Sequence, residues 1–196
     1  IIDNERGRLI CVREDHTGSG EPVNAIVAVS LNGGDNGRIL AGGHDFYSTT
    51  RLSPDGDQLA YLTWDHPNMP WDGCELHLAA FDQDGSLRGD RLIVGGPSQT
   101  IFQSEWSPDG ILHFVAEHTG WWNLYRVRGD ALEPVLPMAA EFGQPLWVFG
   151  QAMYGFTGEE EQYIPNRHVW FYDNLIVNPD GAASQWQHFQ IGGPVD

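Results

Sequence analysis

The chain has 196 residues, with 27 acidic against 10 basic side chains and a formal net charge of -17. Every basic residue is arginine, and the acidic excess excludes nucleic acid as a partner, because such binding needs a Lys/Arg stripe to displace counterions, and disfavours an anionic membrane surface. With 41% hydrophobic and 12% aromatic residues the chain is too apolar for an acidic disordered segment, yet no apolar stretch approaches the roughly 18–20 residues of a spanning helix.

Short strand-like runs recur along the chain. Leu9-Ile10-Cys11-Val12 is followed by Ala25-Ile26-Val27-Ala28-Val29. Leu59-Ala60-Tyr61-Leu62 is followed by Glu75-Leu76-His77-Leu78-Ala79, and Leu112-His113-Phe114-Val115-Ala116 by Asn123-Leu124-Tyr125-Arg126-Val127. Each run is short, rich in branched or aromatic residues, and bounded by Gly, Asp, Asn or Pro. No 3.6-residue period is sustained, so little helix is expected. The pairs form an internal repeat: 50 positions separate Leu9 from Leu59 and 53 separate Leu59 from Leu112, with a weaker fourth copy near Met153-Tyr154-Gly155-Phe156. Ser53-Pro54-Asp55-Gly56 and Ser107-Pro108-Asp109-Gly110 repeat with it, Pro setting the first corner of a type I turn and Gly its exit. Asp35-Asn36-Gly37 and Asp82-Gln83-Asp84-Gly85 read as further hairpin turns.

A unit of this size, with about four short strands, is one propeller blade. The expected fold is therefore all-β: a partial β-propeller of about four blades, each a four-stranded antiparallel sheet. A β-sandwich is the competing architecture. Sheets packed on both faces explain why the strands read as continuous apolar runs. Cys11 and Cys74 are too few for a disulfide framework and are expected to be free thiols. The chain opens Ile1-Ile2-Asp3-Asn4, without an initiator Met or a signal-like segment, and reads as a piece of something longer.

Leu52-Ser53-Pro54-Asp55-Gly56, the string from Trp64 to Gly73 (Trp-Asp-His-Pro-Asn-Met-Pro-Trp-Asp-Gly), and Glu117-His118-Thr119-Gly120-Trp121-Trp122-Asn123-Leu124-Tyr125-Arg126 carry a resemblance. They resemble the propeller of prolyl-oligopeptidase-family serine peptidases, nearest the bacterial dipeptidyl-aminopeptidase/acylaminoacyl-peptidase branch. The likeness covers residues 1–156. Residues 157–196 depart from it and read as a divergent blade, a docking segment or a different small module. Val169-Trp170-Phe171-Tyr172 and Leu175-Ile176-Val177 are possible strands there, and Asn178-Pro179-Asp180-Gly181 a possible turn. The resemblance implies a non-catalytic role, gating peptide access to an α/β-hydrolase domain. No serine here has the Gly-x-Ser-x-Gly setting of a nucleophile elbow; Ser98 has Gly96 before it but Thr100 after. The chain alone is expected to be inactive.

Five residues are candidate substrate contacts: Trp71 and Asp72 in the Pro-stiffened loop, and Glu117, Trp121 and Trp122 around the next hairpin. A glutamate near a substrate ammonium would form a charge-assisted pair. The competing reading makes the tryptophans core wedges and the carboxylates turn caps. Glu159-Glu160-Glu161 reads as a solvated acidic loop. No cofactor and no metal are expected. Expected partners are a peptide substrate or the hydrolase domain, in the cytoplasm. The alternative is a free-standing propeller that binds a protein or peptide without hydrolysis.

Overall fold

The repeated turns set the strand boundaries. In this computed structural model, which describes residues 1–34 and 36–156 and the backbone of 175–177, Gly56 donates its N–H to the Ser53 carbonyl at 2.9 Å, and Gly110 to Ser107 at 2.9 Å. Both glycines have positive φ, 76° and 80°, as the turn exit requires. The Ser53 hydroxyl donates to Asp55 at 2.6 Å and accepts the Gln58 N–H at 2.9 Å. The Ser107 hydroxyl bonds Asp109 in the same way and accepts the Ile111 N–H. The second turn is one residue shorter, since Ser53 N–H reaches the Gln58 carbonyl but Ser107 N–H reaches Ile111.

Three antiparallel four-stranded meanders result. The first sheet holds β1 (Ile2–Asp3), β2 (Arg8–Asp15), β3 (Val23–Ser30) and β4 (Arg38–Gly42). The second holds β5 (Phe46–Leu52), β6 (Gln58–Trp64), β7 (Glu75–Phe81) and β8 (Leu87–Gly95). The third holds β9 (Ile101–Trp106), β10 (Leu112–Glu117), β11 (Trp122–Arg128) and β12 (Ala131–Pro134). The runs at Leu9, Leu59 and Leu112 lie on the second strand of each sheet, so the repeat is the blade repeat. At the expected fourth copy, β13 (Tyr154–Phe156) pairs in parallel with β14 (Leu175–Val177), unlike the antiparallel pairing within the three four-stranded sheets. The expected strand at Val169–Tyr172, the turn at 178–181, the acidic run at 159–161 and Asp35 of the first hairpin lie outside the described residues. Among the described residues there is no helix, so none is long and apolar enough to cross a membrane.

The sheets stack face to face. Leu59 and Tyr61 of β6 point one way, into a core with Ile10 and Ile26 of the first sheet and with Tyr47 and Phe81. Ala60 and Leu62 point the other way, into a core with Ile101, Leu112, Phe114 and Ala116 of the third sheet. Strand alternation and burial of both faces thus produce the continuous apolar run. Beyond the third sheet, Val115 and Leu124 pack with Phe142 and Tyr154, covering its far face with the segment that follows β12.

Arginines stitch the seams between sheets. Arg6 and Arg8 donate to the Gly56 and Gly85 carbonyls at 2.9 and 2.7 Å, and both guanidinium groups lie over the Phe81 ring. Asp3, fully buried, accepts from Arg8 Nε at 2.8 Å. Its burial pushes the carboxyl up, but Arg8 and Arg6 outweigh this and hold it below its usual range. Arg38 pairs with Asp84 at 2.9 Å, also across the first seam. Arg51 pairs with Glu105 at 2.6 Å and Arg91 with Asp130 at 3.4 Å across the second.

Gln103 joins the third sheet to β13. It sits in a bulge of β9 with φ of 47°, and Thr49 holds the matching bulge of β5 with φ of 50°. Such a conformation costs a non-glycine residue about 1–3 kcal/mol and persists only where surroundings enforce it. Here the Gln103 side chain accepts the Met153 and Tyr154 N–H groups at 2.6 and 3.2 Å and donates to the Tyr154 carbonyl at 2.7 Å. The Tyr154 hydroxyl returns a bond to the Gln103 carbonyl at 2.8 Å.

Three outcomes follow from this packing. Phe114→Ala empties the centre of the second interface and should cost about 3–5 kcal/mol in denaturant unfolding. His113 is buried on β10, which holds its imidazole below the ordinary value near 6.5. The unfolded chain therefore takes up that proton first, so stability present above about pH 6.5 should fall as pH drops below it. His113→Gln should flatten that part of the pH profile. Burial pushes the Cys74 thiol up to about 12, so iodoacetamide should modify it at neutral pH only after unfolding, while half-buried Cys11 reacts sooner.

Candidate functional site

One end of the three sheets is a continuous rim. It is built from the connectors 43–45 and 96–100 between sheets and the loops 65–74 and 118–121 within them. Each is tied to the next. His44 Nδ1 meets Asp65 at 2.9 Å, and the Asp45 N–H donates to Asp65 at 2.7 Å. Asp45 in turn accepts the His66 N–H at 2.8 Å and faces its Nδ1 at 3.0 Å, contacts that hold the Asp45 carboxyl below its usual range. Asn68 donates to the Pro97 carbonyl at 2.8 Å, and Gly73 lies against that same carbonyl with no room for a side chain. Gln99 reaches His118 at 2.9 Å. Between these loops is a hollow of about 170 Å³, lined in part by Trp64, His66, Asn68 and Pro97.

The five sequence candidates fall at different depths in this rim. Trp71 is half-buried and packs on Trp147, with ring centroids 4.3 Å apart. Asp72 is exposed; its carboxylate accepts the Met69 N–H at 2.9 Å while its own N–H donates to the Met69 carbonyl, capping the tight turn before Gly73. Glu117 is exposed at the end of β10, opposite Trp122 in register. Trp121 is 40% exposed at the hairpin tip. Trp122 turns inward, stacked near Phe102 with Gly143 against its ring, and its backbone N–H donates to Glu141 at 2.7 Å. Trp71 and Asp72 thus share one loop, and Glu117, Trp121 and Trp122 one hairpin.

Two features escaped the sequence reading. The first is the exposed run Trp147-Val148-Phe149, brought onto the rim by Trp71. Its only signal was an apolar run without strand-like boundaries. The second is a cluster of His44, Glu75 and His77, in which one ligand atom from each side chain lies within 4.8 Å of the others. Glu75 and His77 are two apart on β7, so strand alternation puts them on one face, but His44 comes from the preceding connector and no spacing rule links it to them. These three are ligand types suited to a transition metal.

No family model and no curated protein matches this sequence. Solved structures do. A puromycin hydrolase is 40% identical with a TM-score of 0.71, the match covering 76% of this chain and 24% of that one. A Mycobacterium tuberculosis puromycin-hydrolyzing peptidase is 30% identical with a TM-score of 0.72, over 81% of this chain and 26% of that one. Prolyl oligopeptidase B from Galerina marginata, 12% identical with a TM-score of 0.55 over 72% of this chain, shares the fold alone. The chain spans about a quarter of the length of the two puromycin-hydrolysing relatives. Over the matched residues, this chain is homologous to the propeller part of prolyl-oligopeptidase-family peptidases.

Proposed function

We propose that the chain is the non-catalytic propeller portion of a cytoplasmic serine peptidase and that its loop rim shapes peptide access to an α/β-hydrolase domain. The observation that carries this reading is the aromatic rim: Trp71 against Trp147, with Trp121, Trp147 and Phe149 exposed by 40%, 70% and 66%. Solvent-exposed aromatics on a braced scaffold are apt to meet a peptide or a partner domain, since they offer large contact area at small entropic cost. Relatives that hydrolyse puromycin support a parent enzyme acting on small amide substrates. In this reading the propeller supplies no nucleophile. It works as a steric filter, admitting short or extended chains past the rim and excluding folded ones. In this reading Glu117, exposed at the end of β10 opposite Trp122, pairs with a substrate ammonium.

The complete peptidase provides the test. Trp71→Ala, and separately Asp72→Ala, should change the kcat/KM ratio between short and long peptides by about 2- to 10-fold, the scale of a lost aromatic contact. Unchanged ratios in both variants would count against the rim's role. A serine-reactive phosphonate should leave the 196-residue chain itself unlabelled.

A further inference from the structure

The His44, Glu75 and His77 side chains meet where the connector between β4 and β5 crosses the face of β7. His77 Nε2 lies 3.2 Å from Glu75 Oε2, while its Nδ1 lies 3.1 Å from Asp90 Oδ2. If Nδ1 carries the proton toward Asp90, the Nε2 lone pair points at a carboxylate oxygen. A cation held by both would sit between that nitrogen and the carboxylate oxygen. His44 repeats the arrangement, its Nδ1 2.9 Å from Asp65 Oδ2 and its other nitrogen left over. Each histidine therefore has the carboxylate partner on Nδ1 that orients metal-binding imidazoles.

Charge and rigidity agree with this arrangement. Asp65, Glu75 and Asp90 together bring three carboxylates, and among the described residues their ion pairs are to histidine alone. The His77 ring is held flat on Tyr61, centroids 5.4 Å apart at 14°, and its side chain is only 12% exposed. The His44 backbone N–H donates to the Tyr47 hydroxyl at 3.0 Å, fixing the connector over the site. Tetrahedral zinc with bonds of about 2.0–2.1 Å sets its ligand atoms about 3.3 Å apart. The His77–Glu75 edge already has that length, one ligand atom of each side chain lies within 4.8 Å of the others, and the part-exposed His44 and Glu75 side chains have room to turn toward His77.

We propose that His44, Glu75 and His77 bind one zinc-type divalent cation, which fastens the β4–β5 connector to β7 and keeps a fourth coordination position for water. Two imidazoles and one carboxylate suit zinc, cobalt or nickel and disfavour magnesium and calcium.

The full 196-residue chain is titrated with zinc by calorimetry, and with cobalt by visible absorption. The expected result is one site per chain, a tetrahedral cobalt spectrum, and no displacement by excess magnesium. Asp90→Asn should weaken zinc binding by about 10- to 100-fold, because it removes the group that orients His77. His44→Asn and His77→Asn should abolish the site. His44 lies in a half-exposed connector, so that variant, checked for native β structure by circular dichroism, decides the matter even if His77→Asn fails to fold. Absence of zinc binding in the parent chain, or unchanged binding in a folded His44→Asn, overturns the proposal.

Discussion

The three four-stranded sheets carry apolar side chains on both faces, and most other features follow from the pressure to bury them. A lone four-stranded meander exposes two apolar surfaces, which is untenable in water. Stacking on a neighbour removes one surface, and a second neighbour removes the other. The second sheet has both and holds the most continuous core, with Leu59 and Leu62 of one strand serving opposite interfaces. The third sheet's far face is closed by Phe142 and Tyr154. The first sheet has one neighbour among the described residues, and Leu9, Val23, Leu31 and Ile39 remain exposed there. The arginine bridges at the seams are secondary in energy. They fix the angle between sheets, because a planar guanidinium fork accepts only a narrow range of partner directions.

The central strands were legible in the sequence because burial on both faces writes itself as an unbroken apolar run. The flanking strands were not. β5 reads Phe46-Tyr47-Ser48-Thr49-Thr50-Arg51-Leu52 and β9 reads Ile101-Phe102-Gln103-Ser104-Glu105-Trp106, each with a polar middle. β8 carries Arg88, Asp90 and Arg91. A strand at the margin of a sheet has a neighbour on one side only, so the pressure toward apolar residues is weaker and the pattern fades. Gln103 is the extreme case: a polar residue with positive φ inside a strand looks like an interruption, yet its side chain makes the bonds that anchor the next element.

The candidate site was legible to a lesser degree for a related reason. The loop from Trp64 to Gly73 stood out by its density of Trp, Pro and Asp, and it does form the middle of the rim. Its partners did not stand out, because the contacts of Trp71 with Trp147 and of Asn68 with Pro97 join positions 76 and 29 apart in the chain. Residue type predicts what a side chain is able to do, while proximity across loops is decided by how the sheets stack. Asp72 shows the difference: its charge invites a ligand, and its carboxylate is engaged in closing a turn.

The meander has a consequence for how the protein is made. Within each of the three four-stranded sheets, every strand pairs with the one synthesised just before it, and each sheet packs on the sheet just completed. The core contacts between these sheets join each one to the next in the chain. A polypeptide leaving the ribosome can therefore close its blades in order, holding only the latest apolar face open until the following blade arrives.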